Sequence, residues 1–318
     1  MAAIVEQVRP TIAGAATTRT ERARAAPGGR EWLGASRTMP PMQAFVLTPP
    51  SAPAIPLIID SPHSGQHYPA DFGSRQPLSV LREGEDAFVE RLYEGAHSLG
   101  ATLLAAQFPR AYIDPNRGLD DIDPAMLDAD WPGAVTPSRK TELGIGLIWR
   151  TMGQGRDIYD RRLTVTEVQA RIRDCYRPYH LALRRLLDDA LARHGRRWHL
   201  NVHSMPDDSY AQLGLPERQL ADFVLGNLDG ASSDAATLLV LAEPLRAAGY
   251  SVAFNEPFKG VTLIQRSGNP AALCHSVQIE IKRSLYMDAA SHQPNEGFAR
   301  AQAAIQAMLA ALARHISA

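Results

Sequence analysis

The chain has 318 residues, 45% of them apolar, enough to bury one large α/β core or two smaller ones. Its 33 basic and 34 acidic residues leave a formal charge of -1, which gives no electrostatic case for binding nucleic acid or an anionic membrane and suits a small neutral or anionic ligand. The two cysteines, Cys175 and Cys274, lack CxxC spacing, which argues against a disulfide framework or a cysteine zinc site and fits a reducing cytoplasm.

Residues 1–41 are rich in Ala, Arg, Thr, Gly and Pro, carry only three acids (Glu6, Glu21, Glu31) and show no sustained periodicity. They read as a disordered extension, either a leader or an over-extended start ahead of Met39 and Met42, with residues 42–318 as a single folded domain. No run approaches the roughly 18–20 apolar residues of a membrane span. From about residue 53 short apolar runs alternate with longer helical patterns, which predicts a three-layer α/β fold. Strands are expected at Ile55–Ile59, Ala101–Ala106, Ala111–Ile113, Trp198–Val202, Phe223–Leu225, Ser251–Phe254 and Ser276–Ile279. A helix is expected from Asp86 to Leu99, and a longer one over Thr166–His194, started by a Thr164/Glu167 capping box and bent at Pro178. Two more are expected at Asp234–Ala247 and Glu296–Ile316.

Four polar clusters follow predicted strands, where open α/β sheets place their ligands. In Asp60-Ser-Pro-His63-Ser-Gly65 a strand delivers a histidine into a turn. In Trp198-His-Leu-Asn-Val-His203-Ser204 the alternation turns His199, Asn201 and His203 to one face. His63 and His203 are candidate metal ligands, or else ordinary histidines with local hydrogen bonds. A catalytic divalent metal takes three protein ligands and leaves a place for water, so a third donor is needed. Asp86 is that candidate, with a plain helix N-cap as its alternative. Arg110, Asn116 and Arg117 surround a short predicted strand and suit a substrate carboxylate, unless the arginines pair with Asp114, Asp120 or Asp121. Glu280 alternates with Val277 and Ile279 and can act as a general base, or form a salt bridge to Lys282 or Arg283.

Five motifs taken in order, PHSGxxYP at 62–69, the Asp86 segment, RxxxDxNR at 110–117, NVHSMP at 201–206 and QIEIKRSLYMD at 278–288, resemble the N-formylglutamate amidohydrolase family over roughly residues 55–290. The resemblance implies a three-layer αβα fold with a mixed, mostly parallel sheet, related to the zinc carboxypeptidases and to the succinylglutamate desuccinylase and aspartoacylase group. It implies one divalent metal, with Zn2+ the first choice, His63 and His203 as ligands, Asn116 and Arg117 as the carboxylate pair, and Glu280 as the catalytic glutamate. Where carboxypeptidases place a glutamate ligand three residues after the first histidine, this chain has Gln66, so Asp86 is taken as the third ligand. Arg110 is the candidate partner of the attack oxyanion. The expected reaction is hydrolysis of N-formyl-L-glutamate to formate and glutamate in the cytoplasm, within histidine breakdown. Another N-acyl amino acid, a peptide carboxyl end, or a non-catalytic carboxylate binder on the same fold are the alternatives. Neither the metal's identity beyond zinc, with cobalt, manganese and nickel also suited, nor an oligomeric state is legible.

Overall fold

The computed structural model describes residues 43–318, so the disorder expected for residues 1–41 lies outside the described residues. Seven strands form one mixed sheet: β1 (Phe45–Thr48), β2 (Leu57–Ser61), β3 (Thr102–Ala106), β4 (Arg197–Met205), β5 (Phe223–Gly226), β6 (Val252–Phe254) and β7 (Cys274–Lys282). Their spatial order is β1-β3-β2-β4-β7-β5-β6. The central strands β3, β2, β4 and β7 run parallel, while β1 joins β3 and β5 joins β7 in antiparallel fashion. β2 sends the chain to β3 on one side and has β4 on the other, so the strand order reverses between β2 and β4. A crevice outside the carboxyl ends of the strands is expected there, and both candidate histidines follow from those two strands.

Helices cover both faces. On one, Leu57, Ile59, Leu200, Val202, Val277 and Ile279 pack against the helices Ala235–Ala247 and Phe298–Ser317. On the other, Ile58 and Leu104 pack with Val168, Ile172, Tyr179 and Leu183 from the long helical segment over residues 165–194. Truncating a fully buried leucine in either layer, such as Leu200, is expected to cost about 2–5 kcal/mol. The second face is unusual at its centre, because Asp60, His199, Asn201, His203, Ser276, Gln278 and Glu280 replace apolar residues there and are all buried. That polar ladder is the alternation of β4 and β7 carried into three dimensions.

Several local expectations need correction. The predicted strand at Ala111–Ile113 is a turn, with Tyr112 and Ile113 donating to the Pro109 carbonyl. No helix starts at Asp86: α-helix occupies only Val89–Leu92, entered through Phe88 at φ 64°, and continues as a 3-10 segment at Glu94–Leu99. The Asp86 side chain is therefore not a helix cap. β1 was not anticipated; it is a four-residue edge strand whose Val46 and Leu47 are exposed, too short and too little buried to leave a pattern. The long helix behaves as its sequence implies. Thr164 and Glu167 form the capping box, and a π-helical turn at Ile172–Tyr176 precedes Pro178, which has no N–H for the carbonyl four residues back.

Candidate metal and catalytic centre

The parallel strands bring their C-terminal ends to one edge of the sheet, and the chemistry gathers there. β2 exits through Ser61 and Pro62 to His63. Gly65 lets that turn lie against the backbone after β3; a Cβ on it would stand 2.2 Å from the Phe108 carbonyl oxygen. β4 and β7 are in register from Arg197↔Cys274 to Met205↔Lys282, which sets His203 beside Glu280. Asp86 reaches the same point from its loop, its backbone N–H held by the His63 carbonyl at 3.0 Å. His63, Asp86 and His203 are all buried, and one donor atom from each lies within 4.8 Å of the others. Asp86 Oδ2 is 3.3 Å from His63 Nδ1 and 2.9 Å from His203 Nδ1. Gln66, the carboxypeptidase-pattern position, is exposed and apart from this cluster.

The outer nitrogens decide what the inner ones carry. His63 Nε2 is 2.8 Å from Asp114 Oδ1. Although burial works against its ionisation, Arg117, His63 and Arg110 hold the Asp114 carboxyl well below the usual range, so Asp114 is a pure acceptor and His63 Nε2 carries the proton. His203 Nε2 is 2.8 Å from Asn201 Oδ1. Asn201 cannot turn its nitrogen there, because Nδ2 is spent on Asp60 Oδ1 at 2.9 Å, so His203 Nε2 is also a donor. Asn116 Nδ2 stands 2.7 Å from that same nitrogen while Asn116 Oδ1 has no partner. Rotating this amide by 180° presents its oxygen to the donor and resolves both features. In neutral imidazoles the two Nδ1 atoms are then bare lone pairs aimed at an ionised carboxylate. His63 Nδ1 is indeed a buried atom with no hydrogen-bond partner. Two imidazole nitrogens and a carboxylate oxygen converging without a proton are a donor set for a divalent metal. Tetrahedral donors about 2.0–2.1 Å from a common centre stand about 3.3 Å apart, close to the spacing seen here. The residues fit the group.

Around this centre the remaining predicted residues fall into place. Arg110 donates to Asp114 Oδ2 at 3.0 Å, lies over the Trp149 ring at 4.9 Å, and approaches Asp86 Oδ1 at 4.0 Å. Arg117 Nη2 is 3.7 Å from Asp114, its Nε donates to the Ile145 carbonyl and its Nη1 to the Asn116 carbonyl. The ion pairing with Asp114 that the sequence left open is therefore present for both arginines. Glu280 makes no ion pair with its neighbours in sequence: Lys282 pairs with Asp222, and Arg283 with Asp86 at 3.2 Å. Its Oε1 accepts from Gln278 Nε2 at 2.8 Å. Burial pushes the Glu280 carboxyl up to about 7, with His203 pulling it down and Asp86 pushing it further up.

Sequence reasoning missed the supporting shell. Asp114 appeared only as a possible arginine partner, and Asp60 only as the start of a motif. Asn201 was visible in the β4 alternation beside the two histidines. Arg283 on Asp86 and Trp149 beside Arg110 left no signal, since both contacts are made only by the fold. Surface recesses at Ala54, Pro56 and Arg196, and at Val46, Glu90 and Gln107, contain none of the centre's side chains. The chemistry follows converging polar atoms here, not hollow volume. No helix among the described residues is long and apolar enough to cross a membrane.

Known proteins resemble this chain throughout the described region. The family model described as N-formylglutamate amidohydrolase matches residues 55–287. An N-formylglutamate deformylase of Pseudomonas putida is 32% identical over 243 residues, which span 74% of this chain and 82% of that protein. The Pseudomonas aeruginosa protein of the same name is 32% identical over 240 residues, 74% of this chain and 83% of its own. The crystal structure of N-formylglutamate amidohydrolase from Ralstonia eutropha JMP134 superposes with a TM-score of 0.85 at 48% identity, covering 87% of this chain and 99% of that one. A gene product of Agrobacterium tumefaciens shares the fold at a TM-score of 0.62 and 18% identity, over 86% of this chain and 96% of its own.

Proposed function

Because the chain belongs to the N-formylglutamate amidohydrolase family and is an enzyme acting on an amide, we propose that it hydrolyses N-formyl-L-glutamate to formate and L-glutamate with the help of a divalent metal, zinc by first choice. The observation that carries this reading is the convergence of His63 Nδ1, Asp86 Oδ2 and His203 Nδ1 beside Glu280. The named relatives support the choice of N-formylglutamate. A metal held by those three residues supplies Lewis acidity for the formyl carbonyl and lowers the pKa of water towards about 7.

The chain's own residues do the rest. Glu280, with a carboxyl near neutrality, takes a proton from the attacking water and returns it to the amine nitrogen as the C–N bond breaks. The water oxygen ends in formate, and the proton ends on glutamate. Arg110, pinned between Asp114 and the Trp149 face, presents its guanidinium to the oxygen on which negative charge develops. Asn116 and Arg117 hold a carboxylate of the amino-acid half so that the scissile amide faces the metal position. We assign all of this to one catalytic domain over residues 42–318. The two free buried cysteines favour the cytoplasm as its location.

The test is formate release from N-formyl-L-glutamate by protein purified without chelator, with metal content measured in parallel and His203→Ala as control. Release that needs both metal and His203 supports the reading. One equivalent of metal without formate moves the search to other N-acyl amino acids, and the absence of both removes the metal-centre reading.

A further inference from the structure

The cation nearest this centre without an anionic partner is one that the motifs did not contain. Lys140 lies in the short helix Arg139–Glu142, which Asp121 builds from below. The Asp121 carboxylate accepts from Ser138 N at 2.7 Å, from Ser138 Oγ at 2.9 Å and from Thr141 Oγ1. Gly146 closes over the same spot, where a Cβ would meet Thr141 Oγ1 at 2.3 Å. The Lys140 carbonyl accepts from Ile145 N at 2.9 Å, and the Ile145 carbonyl accepts from Arg117 Nε at 3.1 Å. One rigid segment thus carries Lys140 and clamps Arg117.

The charges around the Lys140 side chain are Arg117, Arg110, Asp114 and Glu280, which places it at the reaction centre. Among the described residues no carboxylate lies within 4.0 Å of its ammonium, whereas Arg110 has Asp114 at 3.0 Å and Arg283 has Asp86 at 3.2 Å. The local carboxylates are committed. Asp114 serves His63, Arg110 and the Asn116 backbone, and Asp86 serves both histidines and Arg283. Burial, with Arg117 and Arg110 alongside, pushes the Lys140 ammonium down to about 8. A partly buried ammonium beside two guanidiniums is held uphill until an anion arrives, and the protein supplies none.

We propose that Lys140 receives the second carboxylate of a dianionic substrate, so that the enzyme selects N-acyl derivatives of acidic amino acids over neutral ones. This deepens the hydrolase reading above and rests on it: Arg117 and Asn116 take the carboxylate nearer the scissile amide, and Lys140 takes the one at the end of the side chain. A lysine suits that place because its point charge on a flexible stem follows a mobile terminal carboxylate without a fixed fork geometry.

The experiment compares N-formyl-L-glutamate with N-formyl-L-glutamine, which keeps the shape and removes the charge, for the wild type, Lys140→Met and Lys140→Arg. The ratio of the two kcat/KM values is expected to fall about 10- to 100-fold in Lys140→Met, the worth of one charged hydrogen bond, chiefly through the KM for the glutamate substrate. Lys140→Arg is expected to restore part of it. An unchanged ratio overturns the proposal whatever happens to absolute activity, because a merely structural role lowers both values together. Should the wild type cleave neither substrate, the deformylase reading falls while calorimetry on the full-length protein still decides Lys140. The ratio of glutarate to butyrate affinity is then expected to collapse in Lys140→Met, and a ratio that stays at the wild-type value refutes the assignment.

Discussion

Asp60 Oδ1 accepts the Asn201 amide at 2.9 Å, and this contact decides which atom of Asn201 meets His203. Asp60 is itself held by the Tyr179 hydroxyl and His199 Nε2, each at 2.7 Å. Burial opposes its ionisation, but His199 and the bonds from Asn201 and Tyr179 keep its carboxyl below the ordinary value. The chain of contacts runs from the helix under the sheet, through Asp60 and Asn201, to the imidazole whose other nitrogen faces the metal position. Asn201→Leu is therefore expected to weaken zinc binding about 10- to 100-fold, measured by competition with a chromogenic chelator, while circular dichroism shows an intact fold. Wild-type zinc affinity in this variant would remove Asn201 from the positioning role.

Glu280→Gln keeps the size of the side chain and the partner Gln278 but cannot take a proton. We expect kcat to fall by about 10²- to 10⁴-fold, with metal stoichiometry and KM close to wild type. Loss of metal together with activity would mean instead that Glu280 holds the centre together.

A base acts in its ionised form, so kcat/KM is expected to rise with pH through the Glu280 titration and level off above it. Burial sets the carboxyl at about 7 in the metal-free chain, and a divalent cation beside it favours the charged form. The midpoint of the acid limb is thus expected at or below about pH 7. Gln278→Leu removes the donor at 2.8 Å from the ionised carboxylate, which moves the limb to higher pH. A pH–rate profile in which the limb stays fixed or moves down contradicts this assignment.

His180 links pH to stability at a distance from the metal. Its Nε2 is 2.9 Å from the Pro115 carbonyl, between Asp114 and Asn116, and its ring stacks on Tyr176 at 4.0 Å. Burial pushes its pKa down to about 4 from the ordinary 6.5, so between those values the unfolded chain binds a proton that the folded chain refuses. Stability is then complete above about pH 6.5 and falls as pH drops towards 4, by up to roughly 3 kcal/mol from this group. Urea unfolding across that window is expected to show the loss, and His180→Gln, which keeps an N–H for Pro115, is expected to flatten it. Equal slopes in the two proteins would assign the acid sensitivity elsewhere.

The sequence by itself determined the layered α/β arrangement, the capping box at Thr164 and the polar face of β4, because each depends on residues within a few positions of one another. It also singled out His63, Asp86, His203 and Glu280, since their motifs stand in a recognisable order. It could not show that Asp86 leaves the helix pattern: the break at Phe88 is a backbone choice that the apolar stripe over residues 88–99 does not reveal. Nor could it show which lone pairs are bare. That rests on contacts between residues far apart in the chain, His63 with Asp114, Asn201 with Asp60, Arg283 with Asp86. A hydrogen bond is decided by a few tenths of an ångström and by which atom faces which, and only the packed sheet sets those positions. Lys140 is the same case, for a lysine at the end of a loop reads as surface until the fold brings it beside Arg117 and leaves it without an anion.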